Sequence, residues 1–152
     1  MLVSATEVAG ATLERVGITM TTIDDMAQAA YAIGRRYEMG DGVAMQMETA
    51  ARFYRQAALR GLPDAQHALG FLHATGQGVP RSNELAVSWL QKAAENGHAE
   101  AQHNLGVMYA EGRGVEVDYQ TAVKWFYEAA INGCGPAREW LESRSDEAIT
   151  VG

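Results

Sequence analysis

The sequence predicts an all-α solenoid of three 36-residue helix–turn–helix repeats closed by a C-terminal capping helix. Three observations carry that expectation. Residues 65–79, AQHALGFLHATGQGV, return at 101–115 as AQHNLGVMYAEGRGV. Each repeat holds two apolar stripes at helical spacing. Glycines recur between the stripes and after them.

The period comes first, because it frames everything else. A shift of 36 aligns three blocks, 29–64, 65–100 and 101–136, and the second and third agree at 16 of 36 positions. Gly34, Gly70 and Gly106 align, as do Gly40, Gly76 and Gly112, then Gly42, Gly78 and Gly114. Val43, Val79 and Val115 follow. Ala50, Ala86 and Ala122 come next, then Phe53, Trp89 and Trp125. The pairs Ala57-Ala58, Ala93-Ala94 and Ala129-Ala130 follow them, and Gly61, Gly97 and Gly133 end the blocks. A partial fourth copy runs from Ala137 to Leu141.

The first half of each block reads as helix A. Ala65, Ala68, Leu69 and Leu72 form one apolar face. Gly70 lies inside that helix, where glycine costs roughly 1 kcal/mol against alanine. We read Gly34, Gly70 and Gly106 as sites of close helix approach, with the aromatic of the second helix filling the space beside each. G-x-G-V then turns the chain, its first glycine ending the helix in the left-handed conformation. Ser82 and Asp118 stand where an N-cap is wanted, and Gln46 fills the same place poorly. Helix B carries Ala86, Trp89, Leu90, Ala93 and Ala94 at i, i+3, i+4, i+7 and i+8. One hairpin cannot hide both stripes, whereas stacked hairpins can.

Before the repeats, Thr22-Ile23-Asp24-Asp25 has the form of a helix start, placing the first helix A near Ile23. Residues 1–22 are a leader or cap segment. Val8, Thr12, Leu13 and Val16 give it a weak helical stripe, and capping the first hairpin, folding into the groove, docking on a second copy and disorder all stay open. The solenoid spans 23–146. Ala137, Trp140 and Leu141 close the stack, SRSDEAITVG frays, and 147–152 is a tail.

The motif A-x-x-x-L-G-x-x-Y-x-x-G-x-G-V, followed by A-x-x-W-[YF]-x-x-A-A-x-x-G, resembles the Sel-1-like repeat, a relative of the tetratricopeptide repeat. AQHNLGVMYAEGRGV and TAVKWFYEAAING match it almost position for position, and the resemblance covers about residues 26–141. His73 departs from the usual Tyr, Phe53 from Trp, and Glu142 from the glycine after Leu141. The resemblance implies a right-handed α/α superhelix that scaffolds protein–protein interactions, often in bacterial signalling or secretion and in eukaryotic quality control. Some relatives carry two cysteines per repeat and are linked to penicillin binding or hydrolysis. This chain lacks those cysteines, so that role does not carry over.

In stacked hairpins the A helices line the concave face. With Leu69-Gly70 as the buried seam, His67 and Phe71 face the groove. Their equivalents are Tyr31 and Arg35 in the first block and His103 and Val107 in the third. Glu38, Ala74 and Ala110 follow one turn on, and Asn104 lies beside His103. The expected groove thus sets a Tyr31–His67–His103 row beside an Arg35–Phe71–Val107 row, suited to a peptide or helix of a partner protein.

Other chemistry is weakly supported. GDGV, GQGV and GRGV lack the preceding strand and following Lys-Ser/Thr of a phosphate loop. His67 and His73 are six apart and His98 and His103 five, so neither pair has the spacing of a helical zinc site. His67 and His103 could approach across stacked helices, but two ligands make a poor metal site. A histidine row would also make binding pH-sensitive near neutrality. Cys134 occupies a turn with no base patterned beside it, which favours a turn residue over a nucleophile. No catalytic residue, metal or cofactor is expected.

A net charge of −7 argues against nucleic-acid and anionic-membrane partners. One cysteine cannot make an internal disulfide. The N-terminal twenty residues lack the basic region of a signal peptide. A cytoplasmic location is the default, and an exported protein with its signal removed would read the same. The expected function is a non-enzymatic adaptor. The alternative is self-assembly through the solenoid ends or the N-terminal segment, and a groove hydrolase is a third reading without a supporting residue constellation.

Overall fold

A computed structural model describes residues 20–150, with side chains described for 22–146. The described residues form seven α-helices and no strands. They are α1 (Met20–Met39), α2 (Met47–Leu59), α3 (Pro63–Thr75), α4 (Asn83–Glu95), α5 (Ala99–Glu111), α6 (Tyr119–Ile131) and α7 (Gly135–Thr150). Odd helices take the A role and even helices the B role. Each packs chiefly on its neighbours in the chain, most extensively within a hairpin. That is the contact pattern of a solenoid.

The turn chemistry follows the sequence. Gly76 and Gly112 end α3 and α5 at φ of 70° and 69°, each donating its N–H to the carbonyl four residues back. The Ser82 hydroxyl accepts from the Leu85 N–H at 3.2 Å, and the Asp118 carboxylate accepts from the Thr121 N–H at 3.1 Å. Gln46 makes no such bond, so the first turn of α2 lacks a side-chain cap. Gln46→Asp is therefore expected to raise stability by about 0.5–1 kcal/mol, and Ser82→Ala to lower it by about 1 kcal/mol. Thermal denaturation of both variants checks this, and an unchanged Gln46→Asp melt would count against the reading.

The seam glycines sit where two helices nearly touch. A Cβ on Gly70 would lie 2.9 Å from Leu90 Cγ, and one on Gly106 would lie 2.9 Å from Phe126 Cε1. Gly34 meets the Tyr54 ring in the same way. The expected aromatic filler is thus present twice, but the second repeat uses Leu90. The aligned Phe53, Trp89 and Trp125 are half-buried and pack against the core clusters instead. The reason is rotational: the position after each of them points straight into the notch.

Gln66 and Gln102 are buried polar residues that tie successive repeats together. Their side-chain amides donate to the carbonyls of Ala58 and Ala94 at 3.2 and 3.0 Å. Asn132 completes the second of these by donating to Gln102 Oε1 at 3.0 Å. Its equivalent, Asn96, donates to the Lys92 carbonyl instead.

Both ends differ from expectation. The chain is already helical at Met20, so Thr22 lies within α1 rather than capping it near Ile23. The rest of the proposed leader, 1–19, lies outside the described residues. At the other end, SRSDEAIT does not fray, and the tail expected from 147 is helical to Thr150. No glycine or proline interrupts it, the Ser143 and Ser145 hydroxyls bond back to the carbonyls of Trp140 and Leu141, and Arg144 stacks 4.2 Å over Trp140.

Candidate functional site

The A helices place five of the eight expected groove residues together. His67 and Phe71 on α3 and His103 and Asn104 on α5 line an open cavity of about 460 Å³, floored by the turn that leads into α7. A second cavity of about 160 Å³ adjoins it, sharing Phe71 and Asn104 and adding Val107, Leu90 and Met108. Phe71 is 45% exposed.

The other three residues belong to the first repeat and lie outside these cavities. Tyr31 packs on Tyr54 with ring centroids 5.5 Å apart. Glu38 accepts a hydrogen bond from the Tyr54 hydroxyl. Burial, with that bond and the Glu38 charge, drives the Tyr54 pKa far above its ordinary value, so the phenol keeps its proton. Arg35 faces a separate shallow cavity with Arg36, Met39 and Asp41.

The histidines are arranged differently from the expected row. His67 does not pair with His103. It stacks on His98, ring centroids 4.5 Å apart, while His103 leans on Phe126 at 5.5 Å. His98 serves as the N-cap of α5, its Nδ1 accepting from the Ala101 N–H at 3.1 Å. Its ring proton therefore sits on Nε2, 3.1 Å from Asp64 Oδ1. Asn104 donates to His67 Nε2 at 3.0 Å, which leaves the His67 proton on Nδ1, 4.0 Å from Glu100. The structure thus joins α3 and α5 through a polar chain that sequence spacing did not reveal. A histidine one residue before a helix start was the available signal, since that is the N-cap place. Among the described residues, no group of three or more His, Cys, Asp or Glu side chains is arranged to hold a metal ion. Cys134 is buried in the turn before α7, its N–H bonded to the Ala129 carbonyl at 2.9 Å.

This arrangement sets a pH dependence. Burial, with His98 beside it, lowers the His67 pKa from 6.5, against the pull of Glu100 and Asp64. The unfolded chain then takes up this proton more readily than the folded one. The stabilising contribution is complete above the unfolded value and is lost as pH falls through the folded one. We expect wild type and His67→Gln to differ in melting temperature by a constant amount above pH 6.5. Below it the difference should move against wild type. Parallel curves across that window would refute this assignment.

The profile described as Sel1 repeat matches residues 27–62, 63–98 and 99–134. The chain belongs to the Sel1 repeat family. These boundaries begin two residues before the 36-residue blocks of the sequence, at or next to the starts of α3 and α5. A Sel1 repeat protein from Oxalobacter formigenes is similar at 36% identity and a TM-score of 0.73, over 82% of this chain and 95% of that one. The c5321 protein, a protective antigen present in uropathogenic Escherichia coli strains and displaying an SLR fold, is 40% identical with a TM-score of 0.69 over 70% of this chain. The chain spans 23% of that protein's length. Helicobacter pylori cysteine rich protein B shares the fold at 18% identity and a TM-score of 0.60, over 81% of this chain and 97% of that one. No curated protein matches significantly. Sel1 repeat proteins are generally non-catalytic protein-interaction scaffolds. Among the described residues, no helix of this Sel1 repeat protein is long and apolar enough to cross a membrane.

Proposed function

We propose that this Sel1 repeat protein is a non-enzymatic adaptor that binds a peptide or helix of a partner protein along the groove between α3 and α5. The observation that carries the reading is the pair of adjoining cavities that share Phe71 and Asn104. An apolar anchor of the partner fits against Phe71, Val107 and Leu90. Polar backbone groups of the partner meet Asn104, already positioned by the polar chain through His67, and His103, which rests on the Phe126 ring. Apolar contact with a few placed hydrogen-bonding groups is the usual composition of such a groove.

A photo-crosslinking side chain at position 71 tests this, with Ser88 on the exposed side of α4 as control. The expected result is a crosslink to a partner from position 71 alone. Phe71→Ala with His103→Ala should then weaken that partner roughly tenfold or more while leaving the helical signal intact. Equal crosslinking at Ser88, or undiminished binding by the folded double variant, would move the interaction off the groove.

A further inference from the structure

Helix α6 carries an apolar stripe that none of the described residues covers. Tyr119, Val123, Tyr127 and Ile131 are spaced by four and are 65%, 42%, 60% and 64% exposed. Their place in the repeat explains why this is unusual. In α2 the same positions start with Met47 and Ala51, and Ala51 is 3% exposed because the next repeat lies over it, beside Leu69 and Val79. In α4 they are Asn83, Val87, Gln91 and Glu95, largely polar. Only in α6 is the whole row apolar or aromatic while also uncovered. Helix α7 supplies the next A helix through Ala137, Trp140 and Leu141. It then runs straight through 148 and 150, where the other repeats carry their turn glycines, so no B helix returns over α6 among the described residues.

We propose that this face pairs with a second copy of the chain, α6 against α6, antiparallel about a two-fold axis. Two features select that occupant. The first is charge. Lys124 and Glu128, both exposed, border the stripe on one flank. In an antiparallel two-fold pair the same flanks meet in reverse order, so Lys124 of each copy faces Glu128 of the other, and an isologous contact is self-complementary. The second is area. Two tyrosines, a valine and an isoleucine at these exposures present roughly 450 Å² per copy, about half of the ~800 Å² per partner that a standard interface buries. A head-to-tail stack is disfavoured, because α7 already holds the place of the following A helix and exposes Arg138, Glu139 and Glu142. The proposal does not rest on the groove reading, since the two faces share no residue.

Sedimentation equilibrium of the full chain at physiological salt, which screens the −7 charge of each copy, tests it. The expected mass rises with concentration from 16.4 kDa to twice that value and stops there. Tyr127→Glu should stay monomeric and melt like the dilute wild-type monomer, since the side chain is exposed in the single chain. Lys124→Glu and Glu128→Lys should each weaken the dimer severalfold, and together should restore it. A wild type that stays monomeric overturns the proposal. So does a dimer that survives Tyr127→Glu, which would place the contact elsewhere. A mass that climbs past two copies overturns it in favour of a head-to-tail filament. Crosslinking of position 127 to a different protein, with the chain itself monomeric, overturns it in favour of a foreign partner.

Discussion

Gly78→Ala should cost about 3 kcal/mol or more of stability and lower the melting temperature by roughly 10 °C. Two penalties combine. Gly78 has φ of +69°, a left-handed conformation that costs a side-chain-bearing residue about 1–2 kcal/mol. An added Cβ would also fall on the carbonyl of Met47, the first residue of the preceding B helix. Backbone cannot swing aside as a side chain can, so the two repeats would have to part. Gly114 repeats the geometry, its Cβ 2.5 Å from the Asn83 carbonyl. Gly42 separates the two penalties. It has the same φ of +69° but meets only the Arg36 guanidinium, at 3.0 Å, with no backbone of a preceding B helix against it among the described residues. Gly42→Ala should therefore lose only the conformational part, about 1–2 kcal/mol. Urea titrations followed by circular dichroism give both values. Equal losses at 42 and 78 would show that the loop does not seat on the neighbouring helix as described.

Phe126→Ala should lose about 3–5 kcal/mol. The ring is 1% exposed and fills the notch at Gly106. It also stands 4.3 Å from Trp140 and 5.5 Å from His103. Truncation therefore leaves a cavity, loosens α7 and removes the wall behind a groove residue. Phe126→Leu should cost less than about 1.5 kcal/mol, because the second repeat already accepts Leu90 at that place. Hydrogen exchange is the sensitive measurement. Amides of α7 should exchange faster in Phe126→Ala while those of α2 and α3 keep their protection, since coupling in a solenoid passes mainly between neighbours. Uniform acceleration along the chain would contradict that picture.

The fold was legible because its rules are local. Period, stripe spacing and turn glycines each constrain a few consecutive residues, and three copies of each remove ambiguity. The caps at Ser82 and Asp118 were read from residue type, and the poor cap at Gln46 likewise. The groove was partly legible. Helix geometry alone sends His67, Phe71, His103 and Val107 to one face once Leu69-Gly70 is taken as the seam. It could not show that Tyr31, Arg35 and Glu38 lie apart from the cavities, because that depends on Tyr54 reaching from α2 to hold two of them.

Sequence by itself thus determined the repeat, its helices, its turns and the buried face of each helix, since all of these depend on spacing along one segment. Tertiary structure alone decided the company each exposed or polar side chain keeps. It paired His67 with His98 instead of His103, put Leu90 in an aromatic's place, seated Gly78 on Met47, and left the α6 row bare. The physical reason is that stacking rotates and offsets each hairpin against the last. That offset brings together residues about 30–37 apart, and it depends on how whole faces pack.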